Sequence, residues 1–419
     1  MLKKSVPYKW ELVGLLWLAF FFNQADRQIY NVVLSAIRDD LALSDADMGL
    51  VSSSLILIYG LLVPVAGVIG DRYPKKRVII ISLLVWTCAT LSTGLSQTLL
   101  QLILLRSVAT GGGEAFYSPS ANSLIGESHK KTLATALSIH QTALYVGVIA
   151  SSFVTGYIAD LYGWRMAFYV FGGAGIFLAA LIYWRVRNIV SGQSIVGVIP
   201  SQKSIKEVIS IFFKKPTAIL LACAFAGMQF AGVGFMTWMP TFLHEKYNLS
   251  FAQAGFDSTF YYKVTALLGI LLGARIADRF TRKMTGMRGM VQLCGLMMGV
   301  PALYFMGTTD SLSTVYITLV VFGLCQGLYD SNIFASLFDV VEPPYRSTAT
   351  GIMLSFAFIV GAISPYVLGL LKPVFGLSNG IAFLSLGYFF AALCIIVALL
   401  FFYRKDCLKT NDVLISGGD

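Results

Sequence analysis

Long apolar runs separated by short polar segments dominate the chain. A run of about 20 mostly apolar residues can cross a bilayer as a helix. In the first half, this criterion predicts spans at 12–34, 48–70, 77–97, 99–124, 132–159 and 164–186. In the second half, it predicts spans at 217–243, 255–277, 286–307, 312–338, 347–371 and 377–403. The pattern therefore predicts an all-α membrane protein with twelve transmembrane helices.

A polar, basic segment separates the sixth predicted span from the seventh. It covers 188–216 and is interpreted as a cytoplasmic linker. We therefore predict one six-helix bundle at 1–187, a second at 217–403, and a cytoplasmic tail at 404–419.

Basic residues in the loops and tails predict the orientation of the chain. If the N-terminus is cytoplasmic, the opposite face holds only Arg38, Arg165, Lys246 and Lys372. Short cytoplasmic loops of membrane proteins carry an excess of lysine and arginine. We therefore predict a multi-pass protein of the cell (inner) membrane with both termini in the cytoplasm.

Composition narrows the class of protein. Charged residues make up 12% of the chain and hydrophobic residues 57%, whereas soluble domains carry roughly 25% charge. The net charge of +10 is explained by the basic loops, so nucleic-acid binding is not expected. The six cysteines have no CxxC spacing, and no phosphate-binding GxxxxGK[ST] motif or HExxH motif occurs. We expect no metal site, no catalytic residue, and no cofactor beyond a coupling proton.

Opposite charges lie within the first and fourth predicted spans. The first contains Asp26 and Arg27, and the fourth contains Arg106 and Glu114. An ionised side chain at the centre of a span costs roughly 2.5–3.5 kcal/mol on insertion scales. These groups are therefore expected to pair, to face the bundle interior, or to line a watery cavity. They serve either helix packing or solute and proton binding, and the second role is favoured for intramembrane charges.

Helical spacing groups further polar residues with these charges. Arg27, Tyr30 and Asn31 share one stripe of the first span, and Arg106 and Tyr117 share a stripe of the fourth. All five are candidate substrate contacts. A guanidinium binds carboxylates with two parallel hydrogen bonds, so Arg106 is predicted to hold a substrate carboxylate. Asp26 and Glu114 are predicted to carry the proton, in an order that the sequence leaves open.

Weaker signals come from polar residues in the fifth and tenth spans. Gln141 with Tyr145, and Gln326 with Asp330, are pairs four residues apart that can face a cavity; Tyr329 lies beside the second pair. All five are candidate substrate contacts, with interhelical hydrogen bonding as the alternative.

Two other ionisable residues within spans leave their roles open. Lys263 either contacts an anion or extends toward the membrane interface. His140 is able to relay protons, although a packing role is favoured.

A short element occurs at corresponding places in the two halves. The second span is followed by Asp71-Arg72, two further residues and then two bases; Asp278-Arg279 follows the eighth span in the same way. Shared elements at equivalent positions are typical of internally repeated transporters.

With these residues in view, the chain resembles the major facilitator superfamily over essentially its whole length. The segment Gly67 to Arg77 is similar to that family's signature after the second span, with Pro74 where a glycine is usual. The resemblance implies two pseudo-symmetric six-helix bundles. It also implies a gating role for the two Asp-Arg elements, in which Gly67 allows close helix approach. The gating candidates are Gly67, Asp71, Arg72, Asp278 and Arg279.

A narrower resemblance is to the anion:cation symporter and spinster-like branches of that family. It rests on Asp26-Arg27, on Arg106 to Glu114, and on Gly163-Trp164-Arg165. In those branches the glutamate usually lies seven positions after the arginine, whereas Glu114 lies eight positions after Arg106. The additional residue rotates Glu114 about 80° out of register with Arg106. We expect a π-bulge at the glycine triplet to restore the register.

The resemblance and the charges together predict a secondary transporter. We expect a monomer that imports a small organic anion, such as a hexuronate or aldonate, by proton symport and alternating access. An inside-negative membrane potential favours import when the step carries net positive charge. The alternatives are spinster-like movement of a lipid or lysolipid and, less favoured, a non-transporting receptor or enzyme.

Overall fold

The computed structural model describes residues 7–129, 131–187, 212–281, 284 and 286–407. Within these ranges the secondary structure is helical and includes no strand. Helices satisfy their own backbone hydrogen bonds, as the interior of a bilayer requires. The predicted linker and tail lie largely outside the described residues.

Nine α-helices and one π-helix are described in the N-terminal half. Their bounds are α1 Tyr8–Val32, α2 Leu34–Asp40, α3 Asp45–Arg72, α4 Lys75–Thr93, α5 Leu99–Leu102, the π-helix Ile103–Thr110, α6 Gly111–Ala115, α7 Tyr117–Ser128, α8 Leu133–Tyr162 and α9 Trp164–Arg185. Ser44 begins α3 with a capping box, in which its side chain and that of Asp47 each accept from the other's backbone N–H. Gly163, with φ of 82°, allows the turn between α8 and α9.

The C-terminal half has longer helices with short connections. Their bounds are α10 Pro216–Tyr247, α11 Phe251–Thr281, α12 Met287–Thr308, α13 Leu312–Asp330, α14 Ile333–Phe338, α15 Arg346–Val397 and α16 Tyr403–Asp406, with a π-helix at Ala398–Phe402. Gly376 has φ of 76° and interrupts α15 between the two spans predicted there. The sequence therefore placed this boundary correctly.

Nine segments of the described chain are long and apolar enough to cross a membrane. The difference from twelve has three sources. Polar residues from Asn23 to Gln28 lower the hydropathy of α1, the π-helix interrupts the fourth span, and α15 counts once although Gly376 divides it. The all-α membrane fold is confirmed.

Contacts within the chain define two compact units. Unit 1 comprises Met1–Gly192, Met236–Phe260 and Pro365–Leu370. Unit 2 comprises Gln193–Phe235, Tyr261–Ser364 and Leu371–Asp419. This division differs from the predicted six-plus-six bundles, which remain a prediction.

A fully buried apolar core joins the helices of unit 1. Its members come from α1, α4, α7, α8 and α9 and include Leu16, Leu83, Leu124, Ala143 and Ala179. Gly147 brings α8 close to α1, because a Cβ built there lies 2.9 Å from the carbonyl oxygen of Phe21. This packing fixes α1, which carries the first pair of intramembrane charges.

Glycines and aromatic rings organise unit 2. A Cβ built on Gly269 of α11 lies 3.0 Å from the Cα of Gly327 of α13, so the two backbones approach closely. Tyr262 and Phe322 stack with their ring centroids 5.5 Å apart, and Phe322 lies 5.3 Å from Tyr388. Such contacts hold α11 and α13 together beside the polar residues of the tenth predicted span.

Candidate functional site

Four ionisable side chains from α1 and the interrupted fourth span meet inside unit 1. Arg27 donates from Nε to Glu114 Oε2 over 2.7 Å. Arg106 donates from Nη2 to the backbone oxygen of Asp26 over 2.6 Å, and its Nη1 lies 3.5 Å from Asp26 Oδ1. We call Asp26, Arg27, Arg106 and Glu114 the charge quartet. Each arginine thus pairs with an acid of the other helix, which is one of the arrangements expected from the sequence.

The π-helix brings both charges of the fourth span to α1. It contains Arg106 and ends at Thr110, immediately before the glycine triplet. A π-turn accommodates one residue more than an α-turn. The additional residue between Arg106 and Glu114 is thereby absorbed, and both side chains reach neighbouring residues of α1. The predicted bulge is present, one turn earlier than the triplet.

The glycine triplet allows the segment carrying Glu114 to pack tightly between α3 and α4. A Cβ built on Gly111 lies 3.0 Å from the oxygen of Leu55, and one built on Gly113 lies 2.9 Å from the nitrogen of Trp86. Ser82 also donates to the oxygen of Gly113 over 2.6 Å. Larger residues at Gly111 or Gly113 would push Glu114 away from Arg27.

Asp26 is a buried member of the quartet. Its residue is 3% exposed, and the Thr90 hydroxyl donates to its carboxylate, with Oγ1 2.7 and 2.6 Å from the two oxygens. An adjoining cavity of about 10 Å³, lined in part by Trp86 and Phe171, has room for about one water molecule. A single proton is therefore a more suitable partner for Asp26 than an organic solute.

Arg27 is the most exposed member of the quartet. Its side chain retains 24% exposure, against 2% for Arg106 and none for Glu114. The guanidinium lies 4.2 Å from the ring centroid of Tyr59, a cation–π contact. Arg27 Nη2 and Glu114 Oε1 have no hydrogen-bond partner among the described residues. Since buried polar groups normally have partners, the Arg27–Glu114 pair has capacity for water or a solute.

Three candidate substrate contacts make hydrogen bonds to the protein backbone. Tyr30 donates to the oxygen of Met48 over 2.9 Å, and Tyr117 donates to that of Leu16 over 2.5 Å. Arg106 donates to α1 from Nη2, whereas its Nε and Nη1 have no hydrogen-bond partner among the described residues. All three are almost fully buried, and their assignment to the substrate remains a prediction.

The remaining candidates of unit 1 lie outside the quartet. Asn31 and Tyr145 are half-buried, and Gln141 is exposed. Among the described residues, no hydrogen bond joins Asn31 or Gln141 to the four charges. Their assignment to the substrate remains a prediction.

Unit 2 has a polar cluster of a different kind. The Tyr262 hydroxyl donates to Gln326 Oε1, and Gln326 Nε2 donates to Asp330 Oδ2 over 3.5 Å. Lys263 Nζ lies 4.6 Å from the ring centroid of Tyr262, and its charge interacts with that of Asp330. We call Tyr262, Lys263, Gln326 and Asp330 the Lys263 cluster. Of the candidates in the tenth span, Gln326 and Asp330 thus have polar partners, and Tyr329 is buried.

Sequence reasoning missed three residues that hold these clusters. Thr90 binds Asp26, Tyr59 lies against Arg27, and Tyr262 binds Gln326. Each is polar or amphipathic within an apolar helix, which is a weak signal. Only the packing of neighbouring helices identifies their partners.

The gating candidates are only partly described. Nothing lies within 4 Å of a Cβ built on Gly67, so the predicted close helix approach there is not found among the described residues. Arg72, Asp278 and Arg279 are exposed. The side chain of Asp71 lies outside the described part of the chain. Gating by these residues therefore remains a prediction.

Ion pairs join the ends of several unit 1 helices near α2. Arg38 Nη1 lies 2.8 Å from Asp45 Oδ1 and 2.8 Å from Glu245 Oε1. Arg165 forms an ion pair with Asp40, and the hydrogen bond from this guanidinium holds the pKa of Asp40 below its ordinary value. These ion pairs connect helix ends of unit 1 and do not involve the quartet.

The fold and the buried charge quartet define a helical membrane protein built around intramembrane ionisable groups. The model of the Major Facilitator Superfamily matches residues 16–365, and a second match covers 259–412. The chain therefore belongs to the Major Facilitator Superfamily. It is a multi-pass membrane transporter of a small molecule rather than an enzyme, as the resemblance in its motifs predicted.

Known proteins are similar to the chain over nearly its full length. An MFS-type efflux pump of Mycolicibacterium smegmatis is 24% identical, covering 96% of this chain and 94% of the relative. The hexuronate transporter of Bacillus subtilis is 25% identical, covering 93% and 94%. A bacterial homologue of the human lysosomal transporter spinster, solved inward-facing and unoccupied, matches with a TM-score of 0.87. It is 22% identical, covers 97% of this chain and 100% of that chain, and thus shows the shared fold.

Proposed function

We propose that the protein imports a small organic anion together with protons by alternating access. Sugar acids of the hexuronate or aldonate type are the first substrates to consider. The observation that carries the proposal is the Arg27–Glu114 pair, in which a partly exposed cation faces a buried acid. Similarity to a hexuronate transporter supports the class of substrate.

Competition for Arg27 supplies a physical basis for coupling. A substrate carboxylate that binds the guanidinium displaces Glu114 from its partner. Glu114 is buried, and an isolated buried carboxylate is costly, so it then takes up a proton. Anion and proton therefore bind together, which is the requirement for symport.

Arg106 and Asp26 have a supporting role in this proposal. Arg106 keeps α1 and the π-helix together through the Asp26 carbonyl, and Asp26 is a second proton carrier beside a one-water cavity. The anion contact is thereby assigned to Arg27, one of the substrate contacts predicted from the sequence, rather than to Arg106. The coupling ion remains the proton, and the order in which Asp26 and Glu114 titrate remains open.

Transport by purified protein in liposomes tests the proposal. Labelled hexuronate or aldonate should accumulate when the outside is acidified, and a protonophore should abolish the accumulation. Arg27→Gln should lose uptake, whereas Arg185→Gln should retain it, because Arg185 forms a matched 2.7 Å pair with Glu11 at the surface. Equal uptake by the two variants would contradict the assigned anion site.

Two other outcomes distinguish related functions. Exchange of a labelled lysophospholipid, without sugar-acid uptake, would favour the spinster-like alternative suggested by the structural similarity. Net sugar-acid movement only out of the compartment that corresponds to the cytoplasm would favour export, as in the similar efflux pump. Oriented liposomes distinguish these directions. Insertion in the inner membrane with cytoplasmic termini, and a monomeric state, are parts of the same proposal.

A further inference from the structure

A second cavity of unit 1 lies away from the charge quartet. It has a volume of about 590 Å³ and is formed by the end of α3, the first turns of α4, and the segment from Val108 to Phe116. Ligand pockets usually measure about 300–1,000 Å³. The cavity is therefore large enough for a substantial part of a lipid or drug-sized molecule.

The interior of this cavity is apolar. Ile81, Val85 and Val108 line it, and they are 61%, 43% and 46% exposed. Large exposed apolar side chains at the middle of membrane-spanning helices face lipid chains rather than water. The cavity is consequently suited to a hydrocarbon chain.

One basic residue, Arg77, distinguishes the mouth of the cavity from its interior. Arg77 lines the cavity and is exposed. Its two basic neighbours are already engaged, since Lys75 Nζ lies 2.7 Å from Glu127 Oε1 and Lys76 Nζ lies 5.3 Å from the ring centroid of Tyr183. No ion pair to Arg77 occurs among the described residues. The cation at the mouth is thus available to an anion from outside the protein.

Tyr73 completes the mouth of the cavity. It lines the same space and is 61% exposed, immediately after α3 ends. Tyrosine is enriched where the apolar membrane core meets the headgroups. The cavity therefore extends from the headgroup level, marked by Tyr73 and Arg77, into the hydrocarbon region.

We propose that this cavity binds an anionic glycerophospholipid of the surrounding bilayer. One acyl chain lies along Ile81, Val85 and Val108, and the phosphate accepts hydrogen bonds from the Arg77 guanidinium. Basic pockets between transmembrane helices on the cytoplasmic side are suited to anionic lipid headgroups. This lipid is a bound component of the membrane rather than the transported substrate, so the inference does not depend on the proposed function.

The inner wall of the cavity connects the lipid to the quartet. Gly112 and Gly113 line the cavity, and Glu114 follows them on α6. Both glycines lack a side chain, so backbone atoms form this part of the wall. A Cβ built on Gly112 has one neighbour within 4 Å, Leu62 Cδ1 at 3.7 Å. An acyl chain there packs against the backbone that holds Glu114 beside Arg27.

Unit 2 contains an apolar cavity that serves as an internal comparison. Its volume is about 420 Å³, and its lining includes Phe230, Phe356 and Phe390 but no ionisable group other than Cys223. A hydrocarbon chain fits both cavities, whereas only the cavity of unit 1 has a cation at its mouth. Selection for an anionic headgroup is therefore expected at unit 1 alone.

Native mass spectrometry of the full-length protein tests the proposal. The protein is equilibrated with micelles that contain equal phosphatidylglycerol and phosphatidylcholine, and the bound lipids are counted. Wild type should retain phosphatidylglycerol preferentially. Arg77→Gln should reduce that preference about fivefold, the contribution expected of one basic residue near a headgroup. Lys76→Gln is the matched control and should retain the preference.

A second variant tests the apolar part of the site. Ala109→Trp places a large ring in the cavity and should displace the lipid whatever its headgroup, while Arg77→Gln leaves the apolar interior of the cavity intact. Photo-crosslinking from a phosphatidylglycerol with a labelled acyl chain should modify α4 or the π-helix. Equal retention of the two lipids by wild type, an unchanged preference in Arg77→Gln, or crosslinks confined to unit 2 would overturn the proposal.

Discussion

The charge quartet of unit 1 and the Lys263 cluster of unit 2 both place ionisable groups inside apolar helices. In the quartet each charge has an opposite charge within 3.5 Å, and three of the four side chains are almost fully buried. In the Lys263 cluster, the Tyr262 hydroxyl of α11 binds Gln326 of α13, and Gln326 binds Asp330 of the same helix. In unit 1, pairs of opposite charges link the helices. In unit 2, a hydrogen bond between a tyrosine hydroxyl and a glutamine amide links them.

This difference separates two tasks. A pair such as Arg27–Glu114 changes its net charge when a proton or an anion replaces one partner, so it is suited to coupling. The hydrogen-bonded chain from Tyr262 to Asp330 orients groups without such an exchange. We therefore expect the quartet to govern proton coupling and the Lys263 cluster to govern affinity.

The largest effect is expected when the buried pair is broken. Arg106→Met leaves the buried Asp26 carboxylate without its cation, and breaking such pairs costs about 3–5 kcal/mol. Lys263→Met should lower the free energy of unfolding much less, because Lys263 is only partly buried and lies over the ring of Tyr262. Unfolding midpoints in detergent measure both. Recovery of stability in Arg106→Met/Asp26→Asn is the control, and equal losses in the two single variants would remove the distinction between the clusters.

The next effect concerns coupling. Glu114→Gln removes the acid that pairs with Arg27, so accumulation should fall from about fifty-fold, the gradient that 100 mV supports for one net charge, to none. Exchange of substrate across the membrane should continue. Asp330→Asn is the matched change in unit 2 and should keep accumulation while weakening affinity. Accumulation by Glu114→Gln would assign coupling elsewhere.

A smaller effect is expected at the neutral contact of unit 2. Tyr262→Phe removes the hydroxyl that donates to Gln326. The free energy of substrate binding should become less favourable by about 1 kcal/mol, close to the net value of one hydrogen bond. Substrate affinity should fall about fivefold, with the final accumulated gradient unchanged. Initial uptake rates over a range of concentrations measure the affinity. Loss of the gradient instead would mean that this cluster takes part in coupling.

The smallest effect is expected at the exposed pair outside both clusters. The hydrogen bond from Arg165 lowers the pKa of Asp40, so the pair stabilises the fold above the ordinary aspartate pKa of about 3.9 and loses its effect as pH falls through the lowered value. Asp40→Asn should lower the free energy of unfolding by less than about 1 kcal/mol at pH 7, because solvent screens an exposed ion pair. The difference from wild type should disappear in acid. A difference that persists there would exclude the carboxylate charge as its cause.

Much of the fold was predictable because a bilayer constrains sequence strongly. Spans of about 20 apolar residues follow from membrane thickness, and Gly376 separates the last two where the polarity pattern placed a boundary. The π-helix was also predictable in kind, since a separation of eight positions puts Arg106 and Glu114 about 80° out of register in a regular α-helix, and a π-turn corrects this. Its position was not predictable, because several neighbouring residues can adopt the insertion.

The sequence alone thus identified the membrane helices and the four charges, because charge within an apolar span is too costly to occur without partners. It could not decide which arginine stays accessible. Adjacent residues of a helix point about 100° apart, so Asp26 and Arg27 meet different neighbours. The packing of α4 places Thr90 against Asp26, and the π-helix buries Arg106 while leaving Arg27 partly exposed. Those outcomes depend on contacts between residues distant in the chain, which only the three-dimensional arrangement defines.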